Sequence, residues 1–281
     1  MKWLLVMAVI LAVSEASRAN AQDSELLVNN APSKKFIESR SEAVHSLSTQ
    51  GFEETLESPS LGSISGDSIQ RITELIRAEK PIDSVSSGAA ETIYDVILQP
   101  GHYGRISGAV GTAGRLVSER ALVAYISADI ARRLKDMKYN VLVVSADGAL
   151  RDNPATPQYD GLHSRAFLAI HADGSPVKCK TGPSLAYNKA TSPYAMHAIG
   201  WAISQALGYT YADFRPDGFT ANEARYYMFS RVQTDDMSGL LEVGELTCEK
   251  TELALIGGSD RIAANVASAL DFILRQDGRE K

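Results

Sequence analysis

Short apolar runs alternate with amphipathic helical segments along the chain from residue 93 to residue 275. Residues 93–99 (IYDVILQ) form one such run and are followed by Pro100 and Gly101, as expected of a buried strand. The pattern predicts further strands at residues 140–145, 166–170, 183–187, 226–230 and 239–243, and helices at residues 118–138, 194–207 and 260–275. Strands that alternate with helices predict an α/β fold: a mainly parallel twisted sheet with helices on both faces.

The residues before this region have a different character. Residues 22–90 are rich in Ser, Glu and Lys, poor in aromatic residues, and contain no strand-like run. Two stretches, 34–47 and 67–79, could form short helices, and the Ser- and Gly-rich stretches nearby have the composition of linkers. We therefore expect a polar, partly disordered leader at residues 22–90, followed by a single domain at residues 91–281.

The first residues carry the features of a secretory signal peptide. Lys2 precedes an apolar run at residues 3–13, and residues 19–21 (ANA) fit the small-x-small rule for cleavage after Ala21. The apolar run is shorter than the roughly 20 residues that a membrane-spanning helix needs. We expect residues 1–21 to be removed and the mature protein to be exported, periplasmic or extracellular, without stable membrane insertion.

Net charge and cysteine content narrow the classes of partner and site. The formal net charge of −6 gives no general attraction to nucleic acid or to anionic membranes, which favour basic patches. Two cysteines, Cys179 and Cys248, cannot make an all-thiolate zinc site, so a metal would rely mainly on His and carboxylate ligands. In an oxidising compartment the two cysteines either pair or remain as two buried thiols.

Four side chains suited to metal chemistry lie where the predicted strands end and the first helix begins. His102 follows the first strand, His171 follows the third, Glu242 lies in the last strand, and Glu119 is in the first turn of the long helix. Because the carboxyl ends of parallel strands meet at one edge, we expect these side chains to converge. Taken alone, His102 could be a structural hydrogen-bonding residue, and Glu119 could simply favour a helix N-terminus.

Two imidazoles, one carboxylate and an open position for water form the ligand set of a catalytic zinc. Bound zinc lowers the pKa of its water toward about 7 and polarises a scissile carbonyl. A further carboxylate is then needed to move the proton from water to the leaving amine, and Glu242 suits that role. The chain has no G-x-S-x-G elbow, no P-loop and no dinucleotide-binding glycine pattern after a strand.

Four segments resemble the zinc-dependent N-acetylmuramoyl-L-alanine amidases that trim peptidoglycan. That family carries a strand ending in D-P-G-H-G-G, a Gly-rich loop leading to a helix-starting Glu, a strand ending in S-I-H-A-N, and a late V-E-x-G-F strand. In the same order this chain has QPGHYG at residues 99–104, SER at 118–120, AIHAD at 169–173 and LEVGE at 241–245. The resemblance covers residues 92–276 and implies His102, Glu119 and His171 as ligands of one Zn²⁺ ion, with Glu242 as the catalytic acid/base.

Three positions depart from the family pattern. Gln99 replaces the usual Asp, Tyr103 replaces the usual Gly, and Glu245 stands where an aromatic residue is typical. None of these would bind the metal, so we expect altered substrate contacts or loop shape while hydrolysis survives. About 70 residues separate His171 from Glu242, and ordinary elements account for most of them, so we expect no built-in helical plug. A need for an activator protein stays open.

The resemblance implies hydrolysis of the amide between N-acetylmuramic acid and L-alanine in peptidoglycan. One alternative is a zinc peptidase that acts on the stem peptides of the wall. Another is a non-catalytic wall-binding or activator protein on the same scaffold, which would have no need for the complete set of four residues. Further residues near the motifs have both site and ordinary structural interpretations: His163, Arg165, Asp173 and His197.

Overall fold

The computed structural model describes residues 93–103, 111–144, 161–188, 193–208, 215–216 and 226–276. The predicted signal peptide and the leader with its two short helices lie outside these residues. In chain order the described elements are β1 (Ile93–Pro100), α1 (Glu119–Asp136), β2 (Val141–Val143), β3 (His163–Asp173), β4 (Ser184–Tyr187), α2 (Pro193–Leu207), β5 (Arg215–Pro216), a 3-10 helix (Tyr227–Ser230), β6 (Gln233–Glu245) and α3 (Glu249–Gln276).

The strands form a six-stranded sheet in the order β2-β1-β3-β6-β4-β5. Neighbours among β2, β1, β3 and β6 are parallel, so their carboxyl ends meet at one edge, and the predicted α/β fold with a mainly parallel sheet is confirmed. β4 instead runs antiparallel to β6, and β5 is parallel to β4. The connection from β3 to β4 is too short for the crossover of a dozen or more residues that a parallel return requires.

Apolar side chains alternate between the two faces of the sheet, as the period of two in a strand requires. Val96 and Leu98 of β1 belong to a buried cluster that includes residues of all three α-helices. Ile97, between them, belongs to a second buried cluster that includes Met228 of the 3-10 helix. The three α-helices therefore cover one face, and the 3-10 helix contributes to the other.

Helix α3 is the element whose length differs most from its predicted length. It begins at Glu249 and not near residue 260, and it continues through Gly257 and Gly258, which weaken the helical signal in the sequence. Tertiary packing outweighs that propensity, because Leu255, Ile256 and Ile262 on either side of the two glycines belong to the main buried cluster. No helix within the described ranges is both long and apolar enough to cross a membrane.

The strand predicted at residues 226–230 is wrong, because the structure has a 3-10 helix at Tyr227–Ser230. The aromatic residues of this segment favour a strand by propensity. Phe229 N–H instead donates to the Tyr226 carbonyl and Arg231 N–H to the Met228 carbonyl, the i→i+3 bonds of a 3-10 turn. The turn directs Met228 into the core and leaves Tyr226 and Tyr227 partly exposed.

Cys179 and Cys248 form a disulfide bond that joins the loop after β3 to the start of α3. Of the two alternatives for these cysteines, the structure has the pair. The bond closes a loop with a sequence separation of 69 residues, which limits the conformations of the unfolded chain. In the chain-entropy account, such a loop stabilises the fold by about 4 kcal/mol.

We therefore expect the double variant Cys179→Ala/Cys248→Ala to lose about 4 kcal/mol of unfolding free energy, measured by urea denaturation. Wild-type protein unfolded with a reducing agent present should show a similar loss. An unchanged denaturation midpoint in both samples would contradict the expected stabilisation.

Candidate metal centre

His102 and His171 are brought together by the register of β1 and β3. Pro100 pairs with Ile170, and the Gly101 N–H donates to the Ile170 carbonyl at 2.8 Å. His102 then leaves the strand with φ of 56°, in the left-handed region, which turns it across the end of β3. The two imidazole rings meet edge to face, with centroids 5.0 Å apart.

Glu119 reaches the same place from the first turn of α1. Ser118 caps this helix, since its side chain accepts a hydrogen bond from the Ala121 N–H. The backbone of Glu119 is fixed by a bond from its N–H to the Thr112 carbonyl at 2.9 Å. Its side chain is only 3% exposed, so the carboxylate points inward and not toward solvent.

The three predicted ligands converge on one point. Each offers a ligand atom, and these atoms all lie within 4.8 Å of one another. Glu119 Oε1 lies 3.0 Å from His171 Nδ1 and 3.5 Å from His102 Nε2. The sequence prediction that these residues meet is thus confirmed, whereas their role as metal ligands stays a proposal.

Backbone N–H groups and the two histidines stabilise the ionised form of the Glu119 carboxylate. Thr112 N–H donates to Oε2 at 2.7 Å, and Ala172 N–H donates to Oε1 at 3.2 Å. Burial acts to raise the pKa of Glu119, but the His171 hydrogen bond and the charges of His171 and His102 outweigh it, so this pKa lies below its ordinary value. A metal would therefore meet a carboxylate that is already ionised and oriented.

Two glycines are required by the close approach of backbone to this cluster. An added Cβ at Gly101 would lie 2.4 Å from His171 Nδ1. At Gly111, where φ is +86°, an added Cβ would lie 2.7 Å from Glu119 Oε2 and 3.0 Å from His102 Cδ2. The absence of side chains at both positions leaves room for the imidazoles and the carboxylate.

The two imidazoles and the carboxylate suit a zinc ion, and one His171 ring nitrogen has no hydrogen-bond partner. Two imidazole nitrogens and one carboxylate oxygen are ligands that zinc accepts in catalytic sites. His171 Nε2 is buried and has no hydrogen-bond partner, which is unusual for a polar atom in a folded protein. The ring nitrogens of His171 therefore have ligand capacity that protein hydrogen bonds do not use up.

Glu242 lies next to this cluster on the neighbouring strand. It is the register partner of His171 in the parallel pair of β3 and β6, so the two side chains leave the sheet on the same side. Glu242 is 9% exposed. The site thus contains a second carboxylate, beside the triad and outside the cluster of three ligand atoms.

The structure shows where the other polar residues that the sequence singled out lie and what they contact. His163 pairs with Asp235 at 2.9 Å, and Arg165 pairs with Asp236 and with the Leu274 carbonyl, near the opposite end of β3. His197 is buried in α2. The Asp173 carboxylate accepts from the Gly174 N–H at 2.7 Å, and the contact with His171 Nδ1 is made instead by Glu119 at 3.0 Å.

Sequence reasoning missed Glu252, a buried carboxylate in the first turns of α3. Its Oε1 accepts from the N–H groups of Leu116 and Val117, at 2.6 and 3.1 Å. These residues belong to the loop that leads to Ser118 and Glu119, so Glu252 holds that loop against α3. The signal was weak, because an acidic residue early in a helix is common without any such contact.

Glu245, where the family pattern has an aromatic residue, organises the loop after β3. Its carboxylate is fully buried and accepts from the N–H groups of Cys179, Lys180 and Thr181 at 2.7 to 2.8 Å. The hydroxyl of Thr247 adds a bond at 2.8 Å. At this position the Glu245 carboxylate therefore supports the loop after β3 through backbone hydrogen bonds.

These bonds make a pH-dependent contribution to stability. Burial acts to raise the pKa of Glu245, but the bonds from Thr181, Thr247 and Cys179 outweigh it, so this pKa lies below its ordinary value. The stabilisation is therefore complete above the pKa of a free Glu, about 4.3, and is lost as pH falls through the lower folded pKa.

We expect Glu245→Gln to lower the unfolding free energy by about 2 kcal/mol at pH 7. The difference in melting temperature between this variant and wild type should become smaller below a pH of about 4. A difference that does not change with pH would contradict this expectation.

Together the fold and the cluster define a class: an α/β protein with a two-histidine, one-carboxylate centre at the carboxyl edge of its sheet. No protein-family model matches this chain, and no curated protein matches it.

Several solved structures that resemble the chain are N-acetylmuramoyl-L-alanine amidases. One from Nostoc punctiforme is 19% identical, covers 64% of this chain and 96% of that chain, and has a TM-score of 0.47. The catalytic domain of one from Bacillus (Paenibacillus) polymyxa is 22% identical over 66% and 98%, with a TM-score of 0.47. An amidase from Clostridioides difficile, solved in complex with a lipoprotein, is 18% identical over 66% and 100%, with a TM-score of 0.45. At this level of identity, the activity of the present chain has to be argued from its own side chains and not from these structures.

Proposed function

We propose that this protein is a zinc-dependent hydrolase that cleaves the amide between N-acetylmuramic acid and L-alanine in peptidoglycan. The observation that carries the proposal is the convergence of His102, Glu119 and His171, with Glu242 beside them on β6. The motif resemblance of the four segments that hold these residues supports the choice of bond.

Within this proposal His102, Glu119 and His171 hold one Zn²⁺ ion. Bound there, zinc would supply an acidified water and polarise the scissile carbonyl. Thr112 and Ala172 keep the Glu119 carboxylate in place through their N–H groups, which limits reorganisation when the metal is loaded.

Glu242 is the general acid and base in this scheme. A carboxylate next to the metal position, on a rigid strand, can accept the proton of the attacking water. It then delivers that proton to the L-alanine amine as the carbon–nitrogen bond breaks. The second proton of the water also passes to the departing amine, so the muramic acid keeps a lactyl carboxylate, the peptide leaves with a charged amino terminus, and atoms and charges balance.

Export through the predicted signal peptide would bring the enzyme to this substrate, and residues 22–90 would precede the catalytic domain at residues 91–281. The negative net charge is consistent with a wall substrate and not with nucleic acid.

The direct test is end-group analysis of purified peptidoglycan after digestion. We expect mature protein to release peptides that begin with a free L-alanine amine, and chelation to stop that release. Shortened stem peptides that remain attached to muramic acid would instead indicate the zinc peptidase. Binding to the wall without any new end group, with and without added periplasmic extract as a source of activator, would indicate a non-catalytic wall-binding protein.

A further inference from the structure

Gln99 is a fully buried primary amide at the end of β1, three residues before His102. Its Oε1 accepts a hydrogen bond from the Tyr226 hydroxyl, and its Nε2 donates to the Tyr227 hydroxyl at 3.0 Å. One side chain therefore holds two consecutive tyrosines of the segment that precedes β6. Buried amides are costly without partners, and this one uses both ends of its carboxamide group.

Tyr226 carries this contact onward to the candidate metal centre. Its ring stands edge to face against the His171 imidazole, with centroids 5.8 Å apart and an interplanar angle of 84°. The His171 ring in turn packs edge to face on His102. Phe229 also packs against the Tyr226 ring, with centroids 5.6 Å apart. Gln99 is thus linked to His171 through a single intermediate side chain.

The arrangement uses both the acceptor and the donor of the amide at position 99. The Tyr226 hydroxyl donates to the carboxamide oxygen, and the Tyr227 hydroxyl accepts from the carboxamide nitrogen. A carboxylate, which the family pattern has here, offers acceptors only and would bring a charge into a fully buried position. Gln99 and the pair Tyr226 and Tyr227 therefore fit each other as one unit.

We infer that Gln99 is a positioning residue: through Tyr226 it sets the orientation of the His171 ring, and so the affinity of the centre for zinc. This inference rests on the proposed function in taking zinc as the metal. Groups that contact a ligating histidine without binding the metal change metal affinity by roughly 10- to 100-fold when they are removed. Edge-to-face aromatic pairs also prefer a defined ring geometry.

The test compares zinc affinity, by competition with a chromophoric chelator, among wild type, Gln99→Met, Tyr226→Phe and the double variant. Methionine keeps the volume of glutamine and removes its donor and acceptor. We expect each single variant to bind zinc about tenfold more weakly, at the lower end of the usual range for such support. The double variant should lose no more than either single one, because the two residues act as a unit.

Tyr139→Phe is the matched control, since it removes a phenol hydrogen bond to Asp271 on the far side of the domain. Its zinc affinity should equal that of wild type. Wild-type affinity in Gln99→Met, or losses in the two single variants that multiply in the double variant, would overturn the inference. If Gln99→Met does not fold, Tyr226→Phe alone decides, because its ring and its contact with His171 remain while the bond to Gln99 is lost.

Ring resonances of His171 in the zinc-free protein provide a second readout, independent of metal and of activity. The Tyr226 ring current should shift these signals, and Gln99→Met should move them toward random-coil values while Tyr139→Phe leaves them in place. Unmoved signals in Gln99→Met would contradict the positioning role even if wild type cleaves peptidoglycan. If Gln99→Met moves the signals but wild-type protein cleaves no peptidoglycan, the positioning contact stands and the proposed function is rejected.

Discussion

Glu242→Gln is expected to lower the rate of amide hydrolysis by about a thousandfold while zinc binding and stability stay close to wild type. The glutamine side chain has the same size, but it cannot accept the proton of the attacking water or return it to the leaving amine. Glu242 lies on β6 as the register partner of His171, so the substitution changes the proton carrier and leaves the three ligand residues intact. Turnover of peptidoglycan by a fixed amount of zinc-loaded protein measures the effect.

The matched control for this variant is Glu249→Gln. Glu249 is an exposed carboxylate whose side chain is 63% accessible and pairs with Arg115 at 2.9 Å. An exposed pair of this kind contributes little to stability, so both activity and melting temperature should remain at wild-type values. Full activity in Glu242→Gln, with zinc bound, would remove Glu242 from the chemistry and assign the proton transfer to another group.

Gly101→Ala is expected to weaken zinc binding by about 100-fold and to abolish hydrolysis with it. The added Cβ would lie 2.4 Å from His171 Nδ1, closer than real Cβ contacts allow, and the strand pairing of β1 with β3 prevents the backbone from withdrawing. The imidazole must therefore move away from Glu119. Isothermal titration with zinc measures the loss.

Gly257→Ala in α3 is the control for a glycine substitution as such. A Cβ there meets nothing within 4 Å, and alanine is favoured over glycine in a helix by about 1 kcal/mol. This variant should bind zinc like wild type and melt at a slightly higher temperature. Normal zinc affinity in Gly101→Ala would mean that His171 is not held against Gly101 as the structure indicates.

The positions of the candidate ligands could be predicted because a parallel sheet imposes them. Once residues 93–99 and 166–170 are recognised as strands, His102 and His171 must lie at the same edge, and the structure confirms it. Glu119 could be placed because the amphipathic pattern of residues 118–138 marks where α1 begins. The strand positions and the start of α1 can both be read from the spacing of apolar residues in the sequence.

The supporting contacts could not be predicted, because each joins residues that are far apart in the chain. Gln99 and Tyr226 are separated by 127 residues, and Glu252 and Leu116 by 136. No local pattern distinguishes a glutamine that holds two tyrosines from one at an exposed strand end. Tertiary packing also decided the two elements that were predicted incorrectly, the segment at residues 226–230 and the first part of α3.

The most direct test of the central claim is a zinc titration followed by hydrolysis in the same samples. Metal-free protein is prepared with a chelator, zinc is added back in known ratios, and release of L-alanine-terminated peptides from peptidoglycan is measured at each ratio. The His102–Glu119–His171 centre predicts no release without zinc and a return that saturates at one ion per chain. Release that persists in the metal-free protein, or that stays absent when one zinc ion is bound, would contradict it.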